Sequence, residues 1–316
     1  MSPLVETTLF VFGLVGFGYL AGRTGYLRAE AGDSLSEFAV NVAVPLLLFR
    51  TMLGADFHGA APWALWTTYF TAAFIAWTAG HLAVTRIFGR DGQAGVVVGV
   101  AAAFSNTVLL GVPFMLGVFG QQGFEILTLI VSIHLSVMTM ASILLFAHFG
   151  RGRGGPETVG EMARDFVRKV GTNPLIIGIA AGLAWRFFGP PLPPLATRFI
   201  DALADVAGPV ALFAMGLGLV KFGISGNVRP ALVLSAIKLL LMPAVALGMA
   251  WALDLPPLAA KVAVVTAALP SGVNSYLIAT QFGTGQGLAS NAMTIGTAAA
   301  VLTSAFWLAV TQAVFG

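Results

Sequence analysis

Ten apolar stretches long enough to cross a bilayer occupy residues 3–22, 34–53, 62–86, 94–119, 123–148, 172–189, 194–220, 230–253, 258–281 and 286–314 of this 316-residue chain. Only 9% of its residues are charged, against roughly 25% in soluble domains, so a water-soluble fold is excluded. The separators are short and built from turn formers, as in Gly22-Arg23-Thr24-Gly25, Gly89-Arg90-Asp91-Gly92 and Gly189-Pro190-Pro191. The predicted fold is an all-α polytopic membrane protein. With no cysteine in the chain, disulfides, thiolate metal sites and cysteine nucleophiles are ruled out. The net charge of +3 comes from basic residues gathered at span ends, so nucleic acid is not an expected partner; the bilayer is. Met1 to Glu6 lacks a basic leader region, which makes the first stretch a retained span.

Basic residues also give an orientation. With the N-terminus outside, the inward connections carry Arg23, Arg28, Arg86, Arg90, Arg151, Arg153, Arg164, Arg168, Lys169, Lys221 and Arg229, whereas the outward ones carry Arg50, Arg186, Arg198 and Lys261. The expected protein sits in the cell inner membrane with both termini outside. Its one long polar connection, 151–171, shows apolar residues at helical spacing opposite Glu161, Arg164, Asp165, Arg168 and Lys169. This predicts an amphipathic helix over 156–170 on the cytoplasmic surface, serving as a tether.

The two halves resemble each other. Val42-Ala43-Val44-Pro45-Leu46-Leu47-Leu48-Phe49 matches Val206-Ala207-Gly208-Pro209-Val210-Ala211-Leu212-Phe213 at five of eight positions, with an offset of 164. Glu37 and Asn41 pair with Asp201 and Asp205 at the same offset. At offset 165, Ala102 to Asn106 faces Ala267 to Ser271. Each unit holds five spans, an odd number, so the copies enter the membrane from opposite sides. The expected organisation is a first repeat over 1–150, a connector over 151–171 and an inverted second repeat over 172–316.

The polar interruptions of this pattern locate a candidate site. Span four carries Ser105-Asn106-Thr107 and then Gly111-Val112-Pro113, and span nine carries Pro270-Ser271-Gly272-Val273-Asn274-Ser275. Proline removes a backbone donor and glycine lowers helix preference, so both helices are expected to open there. Freed backbone groups in hydrocarbon cost several kcal/mol each unless protein, water or ligand satisfies them. Two openings at matching repeat positions therefore predict a shared polar cavity. The half-helix beginning after each break turns its positive end toward that cavity, which suits an anion. The structural alternative is a proline kink with back-bonding Ser and Thr.

Lys238 lies inside span eight, where a charge is expensive and calls for a partner or a function. It is read as a counter-charge for an anion, a proton-linked coupling group or half of a structural ion pair, with Asp205 the partner suggested by repeat position. His81 and His134 also fall within spans and are read first as packing residues. Gly18 with Gly22, and Gly178 with Gly182, have the spacing of close helix contacts. No hydrolase elbow, zinc-protease motif or P-loop is present, so nothing suggests an enzyme, a metal or a cofactor.

Asn41-Val42-Ala43-Val44-Pro45-Leu46-Leu47-Leu48-Phe49, Ser105 to Pro113, Lys238-Leu239-Leu240-Leu241-Met242-Pro243 and Ala268 to Ser275, in this order, resemble the motifs of the auxin efflux carrier family. Bacterial members of that family are associated with malate and malonate transport. The resemblance covers nearly the whole chain. It implies ten helices in two inverted repeats, crossed broken helices four and nine, and a scaffold of spans one, two, six and seven against which the rest moves in an elevator-like step. It also implies a small carboxylate anion as substrate, a homodimer, and binding roles for Asn106, Gly111, Pro113 and the stretch Pro270 to Ser275, with Asn41 of the span-two motif added. Plant members have a long central loop, which is only about 20 residues here. The fold is also similar to bile acid:sodium symporters, but spans four and nine hold no acid for a sodium site. The expected function is secondary active transport of a small organic anion, with protons as a candidate coupling ion. The alternatives are a sodium-coupled symporter and a non-transporting ligand sensor.

Overall fold

The computed structural model describes residues 3–28, 30–57, 59, 61–149, 164, 167, 168, 170–222, 224, 226 and 228–316. The expected connector helix 156–170 lies largely outside them. All named elements are helical. They are α1 (Pro3–Arg23), α2 (Glu30–Phe38), the π-helical turn π1 (Ala39–Ala43), α3 (Val44–Gly54), α4 (Pro62–Leu82), π2 (Ala83–Ile87), α5 (Gly92–Ala101) and α6 (Gly111–Phe149). After the connector come α7 (Pro174–Phe188), α8 (Pro194–Asp205), α9 (Ala207–Leu219), α10 (Val228–Ala236), π3 (Ile237–Leu241), α11 (Met242–Ala252), α12 (Pro257–Ala268), α13 (Val273–Gln281) and α14 (Gln286–Phe315). Among the described residues, six helical stretches are long and apolar enough to cross a membrane: Val5–Arg23, Glu30–Gly54, Gly111–Phe146, Pro194–Leu219, Val228–Ala252 and Gln286–Phe315. Gly92–Ala101, Pro174–Phe188 and Pro257–Ala268 are shorter apolar helices.

Proline explains most departures from straight helices. Pro45 and Pro243 each follow a π-helical turn, π1 and π3, in which the helix widens where a proline ring would meet the carbonyl four residues earlier. For Pro243 that carbonyl belongs to Leu239. It is not left bare: the Trp307 indole N–H donates to it at 2.8 Å. Trp307→Phe keeps the ring and deletes this donor, so it is expected to destabilise the protein by about 1–3 kcal/mol, read as a lower unfolding midpoint in detergent. A similar effect splits span seven. Pro209 offers no N–H to Asp205, and α8 ends there while α9 starts at Ala207. The sequence reading placed no break at that point. Gly120 takes φ 62° and ψ −158°, which separates the half-helix 111–119 from the remainder of α6.

The chain divides into two compact units. One comprises Met1–Gly59, Val108–Ser132 and Val167–Lys221. In it α1 packs on α9 and α3 on α7. Small residues allow these close approaches: a Cβ on Gly18 would stand 2.1 Å from the Phe213 carbonyl oxygen, and one on Gly178 would stand 2.5 Å from that of Pro45. The other unit comprises Ala60–Thr107, Ile133–Phe166 and Phe222–Gly316. There α4 packs against α5 and α11, α11 against α12, and α14 against α10 and α12. Its core is rich in Ala and Val, as in the cluster of Val84, Val98, Ala101, Ala102, Ala231, Leu234, Leu288 and Ala292. Large apolar side chains such as Phe10, Phe17, Trp63, Phe187 and Leu302 are exposed, an arrangement suited to lipid rather than water.

Candidate functional site

Within the second unit, α5 and α12 both end short of a full span, and the chain beyond each becomes extended. Phe104-Ser105-Asn106 and Pro270-Ser271-Gly272 lie antiparallel, with Ser105 paired to Ser271 in a single β-bridge. The Asn106 N–H donates to the Pro270 carbonyl at 2.9 Å, and the Gly272 N–H donates to the Phe104 carbonyl at 3.2 Å. The backbone groups released by one break are thus partly satisfied by the other, which makes two unwound segments tolerable at membrane depth. Ser105, Asn106, Thr107, Ser271, Gly272 and Ser275 are buried, whereas Val273 and Asn274 are half-buried. A Cβ on Gly272 would lie 3.2 Å from Asn106 Cα, so the close approach of the two backbones favours glycine here.

Helix α13 then starts at Val273 with no side-chain cap from Gly272. Ser275 donates its hydroxyl to the Gly272 carbonyl at 2.8 Å and accepts the Ser271 hydroxyl at 2.9 Å. The first turn of α13 therefore combines the positive end of a helix with two hydroxyls and the Asn274 amide, a set of groups suited to an anion.

Lys238, on π3, is 1% exposed. Its ammonium donates to the Ala267 carbonyl at 2.5 Å. Ala267 lies in the last turn of α12, where carbonyls lack intrahelical donors and the helix dipole is negative. The partner expected from repeat position is corrected here. Asp205 accepts from Arg50 at 2.7 Å, with Asp201 on the same guanidinium at 3.1 Å, inside the first unit.

The remaining predicted residues also belong to the first unit. Asn41 is exposed on π1, and Gly111 and Pro113 are buried at the start of α6. Pro113, Arg50, Asp205 and Gly208 line a cavity of about 220 Å³ there. Of the predicted set, then, Ser105, Asn106, Thr107 and the stretch from Pro270 to Ser275 share one unit with Lys238, whereas Asn41, Gly111, Pro113 and Asp205 share the other. Sequence reasoning passed over Arg50 and Glu125. Glu125 is 7% exposed and accepts from the Asp56 N–H at 3.2 Å. An acid close to the start of an apolar run was the available signal.

Comparison with known proteins relates the chain to membrane transporters. A family model described as "Membrane transport protein" matches residues 3–308. A protein of Rhizobium meliloti (strain 1021) whose name proposes malonate transport is 30% identical over 323 aligned residues, covering 96% of this chain and 94% of its own. An uncharacterized transporter of Methanothermobacter thermautotrophicus is 26% identical, covering 96% of each chain. Auxin efflux carrier component 8 of Arabidopsis thaliana is 23% identical, covering 88% of this chain and 89% of its own. The chain is a multi-pass membrane protein and belongs to the auxin efflux carrier family of membrane transport proteins.

Proposed function

We propose that the protein is a secondary active carrier for a small carboxylate anion, bound at the crossing of the two extended segments. The observation that carries this reading is the hydrogen-bonded crossover: two polar breaks, from opposite halves of the chain, meet inside an apolar unit and leave the uncapped start of α13 beside Asn106. Malonate heads the list of candidate substrates because the Rhizobium meliloti relative carries that name. Ten spans in two inverted repeats are supported by the exchange of partners in the first unit, where span one packs on span seven as span six packs on span two. In the elevator reading, the unit that holds the crossover carries the anion, and the unit that gathers 1–59 and 167–221 is the scaffold. The carrier would be a homodimer in the cell inner membrane, with both termini outside.

The Lys238 amine on the Ala267 carbonyl favours transport without sodium, because a nitrogen donor already occupies the helix end where a transported cation would be drawn. The test is tracer uptake into sodium-free proteoliposomes across mono- and dicarboxylates, malonate included. Saturable uptake of one acid is expected, unchanged on adding sodium. Ligand binding without flux for every acid, from folded protein, would replace the carrier with a non-transporting sensor.

A further inference from the structure

Next to the crossover lies a second polar group, which shares Ser105 with it. Tyr69 on α4, Ser105 in the extended segment and His134 on α6 are all in the second unit and are 0–2% exposed. The Tyr69 hydroxyl, the Ser105 hydroxyl and both imidazole nitrogens have no hydrogen-bond partner among the described residues. The three side chains nevertheless converge. The Tyr69 and His134 rings meet edge to face at 5.5 Å, and His134 meets Phe104 at 4.6 Å. Ser105 is the polar neighbour of both Tyr69 and His134, although none of the three side chains reaches hydrogen-bond geometry with another. Buried polar atoms left unmet are costly and uncommon, so a cluster of them marks a place for a small polar guest.

The surrounding groups narrow that guest. From α4 the titratable neighbour is Tyr69; the extended segment offers the Ser105 hydroxyl and the Phe104 ring; from π3 the Lys238 ammonium acts on His134, and no described carboxylate does. A metal cation finds no anionic ligand in such a chamber and one fixed positive charge against it. An imidazole can take up a proton on its unprotonated ring nitrogen and release it again, which no other side chain in this chamber does as readily.

We propose that Tyr69, Ser105 and His134 form the site of a co-transported proton, hydrated by water between them. This rests on the carboxylate-carrier reading above. One N–H bond forms on the imidazole when the proton enters from water and breaks when it leaves; nothing else is made or broken. The coupling is electrostatic. With the crossover empty, the Lys238 charge repels a proton on His134; a carboxylate at the crossover offsets that charge, so anion and proton each favour the other's binding, by the same factor in both directions. Ser105 links the two sites physically, because its backbone is in the crossover and its hydroxyl in the chamber.

The test uses radiolabelled malonate and the other carboxylates in sodium-free proteoliposomes. Two assays run side by side: accumulation on an inward-directed proton gradient and gradient-free exchange. One coupled proton per monoanion gives about tenfold accumulation per pH unit at equilibrium. His134→Gln keeps a hydrogen-bonding side chain that carries no charge. It is expected to exchange substrate within about threefold of wild type and to lose the accumulation; Tyr69→Phe is expected to slow accumulation while sparing exchange. Gradient-driven accumulation in His134→Gln equal to wild type overturns the proton site and leaves the carrier standing, as does a wild type that exchanges but never accumulates. Loss of exchange and accumulation together in both variants makes the cluster structural and overturns the proposal. No flux of any carboxylate in wild type removes the carrier reading and the proton site with it.

Discussion

Gly272→Val is expected to abolish transport and to cost the protein about 3–6 kcal/mol of stability, on the scale of two buried backbone hydrogen bonds lost together. A Cβ at position 272 would stand 3.2 Å from Asn106 Cα and 3.3 Å from Asn106 Cβ, and valine adds two methyl groups to that contact. The neighbour is backbone, which cannot turn aside as a flexible side chain could. The extended segments must separate, breaking Asn106 N–H to Pro270 and Gly272 N–H to Phe104. In hydrocarbon no water stands ready to replace those bonds. Gly248→Ala is the control. A Cβ added at Gly248 meets nothing within 4 Å, and the residue sits inside α11; a helix interior gains up to about 1 kcal/mol from that exchange. Unfolding midpoints in detergent and folded yield read both variants. A Gly272→Val protein as stable as Gly248→Ala would mean that the crossover backbones are not held by these two bonds.

The places where the fold was legible in the sequence are those where one residue type forces a backbone outcome. Pro270 with Gly272 and the run from Ser105 to Pro113 announced two broken helices, and the repeat offset put them opposite each other. What composition could not convey is that the segments between half-helices bond to one another as a bridge, because that depends on which residue faces which across unrelated stretches of chain. The π-helical turns before Pro45 and Pro243 were equally hidden. A proline signals a missing donor, but whether the helix kinks, widens or stops depends on who satisfies the freed carbonyl, and Trp307, 68 positions from Leu239, does so. Repeat position misassigned the partner of Lys238 for a related reason. Internal similarity relates positions, not contacts: Asp205 stands beside Arg50, and the lysine reaches a carbonyl, which leaves no mark in a sequence.

That carbonyl partner gives the second large effect its sign. Lys238→Met keeps the length and apolar bulk of the side chain and removes the ammonium. The Ala267 carbonyl loses its donor, at a cost of about 1–3 kcal/mol, but the folded protein no longer holds a charge out of water, which offsets that loss. Stability is therefore expected to change little. Transport is not so protected. A carboxylate bound within reach of a unit charge, at an effective dielectric of about 20, gains on the order of 1–4 kcal/mol, so its affinity is expected to fall at least about fivefold. The loss should appear in KM for uptake. It should also persist at high salt, because a pair shielded from solvent is little screened by ions. Lys238→Arg retains the charge on a planar fork in place of a point donor and is expected to recover part of the affinity. If Lys238→Met instead loses stability and keeps its KM, the ammonium serves only to close the end of α12, and the positive end of α13 with its hydroxyls and amides must hold the anion without it.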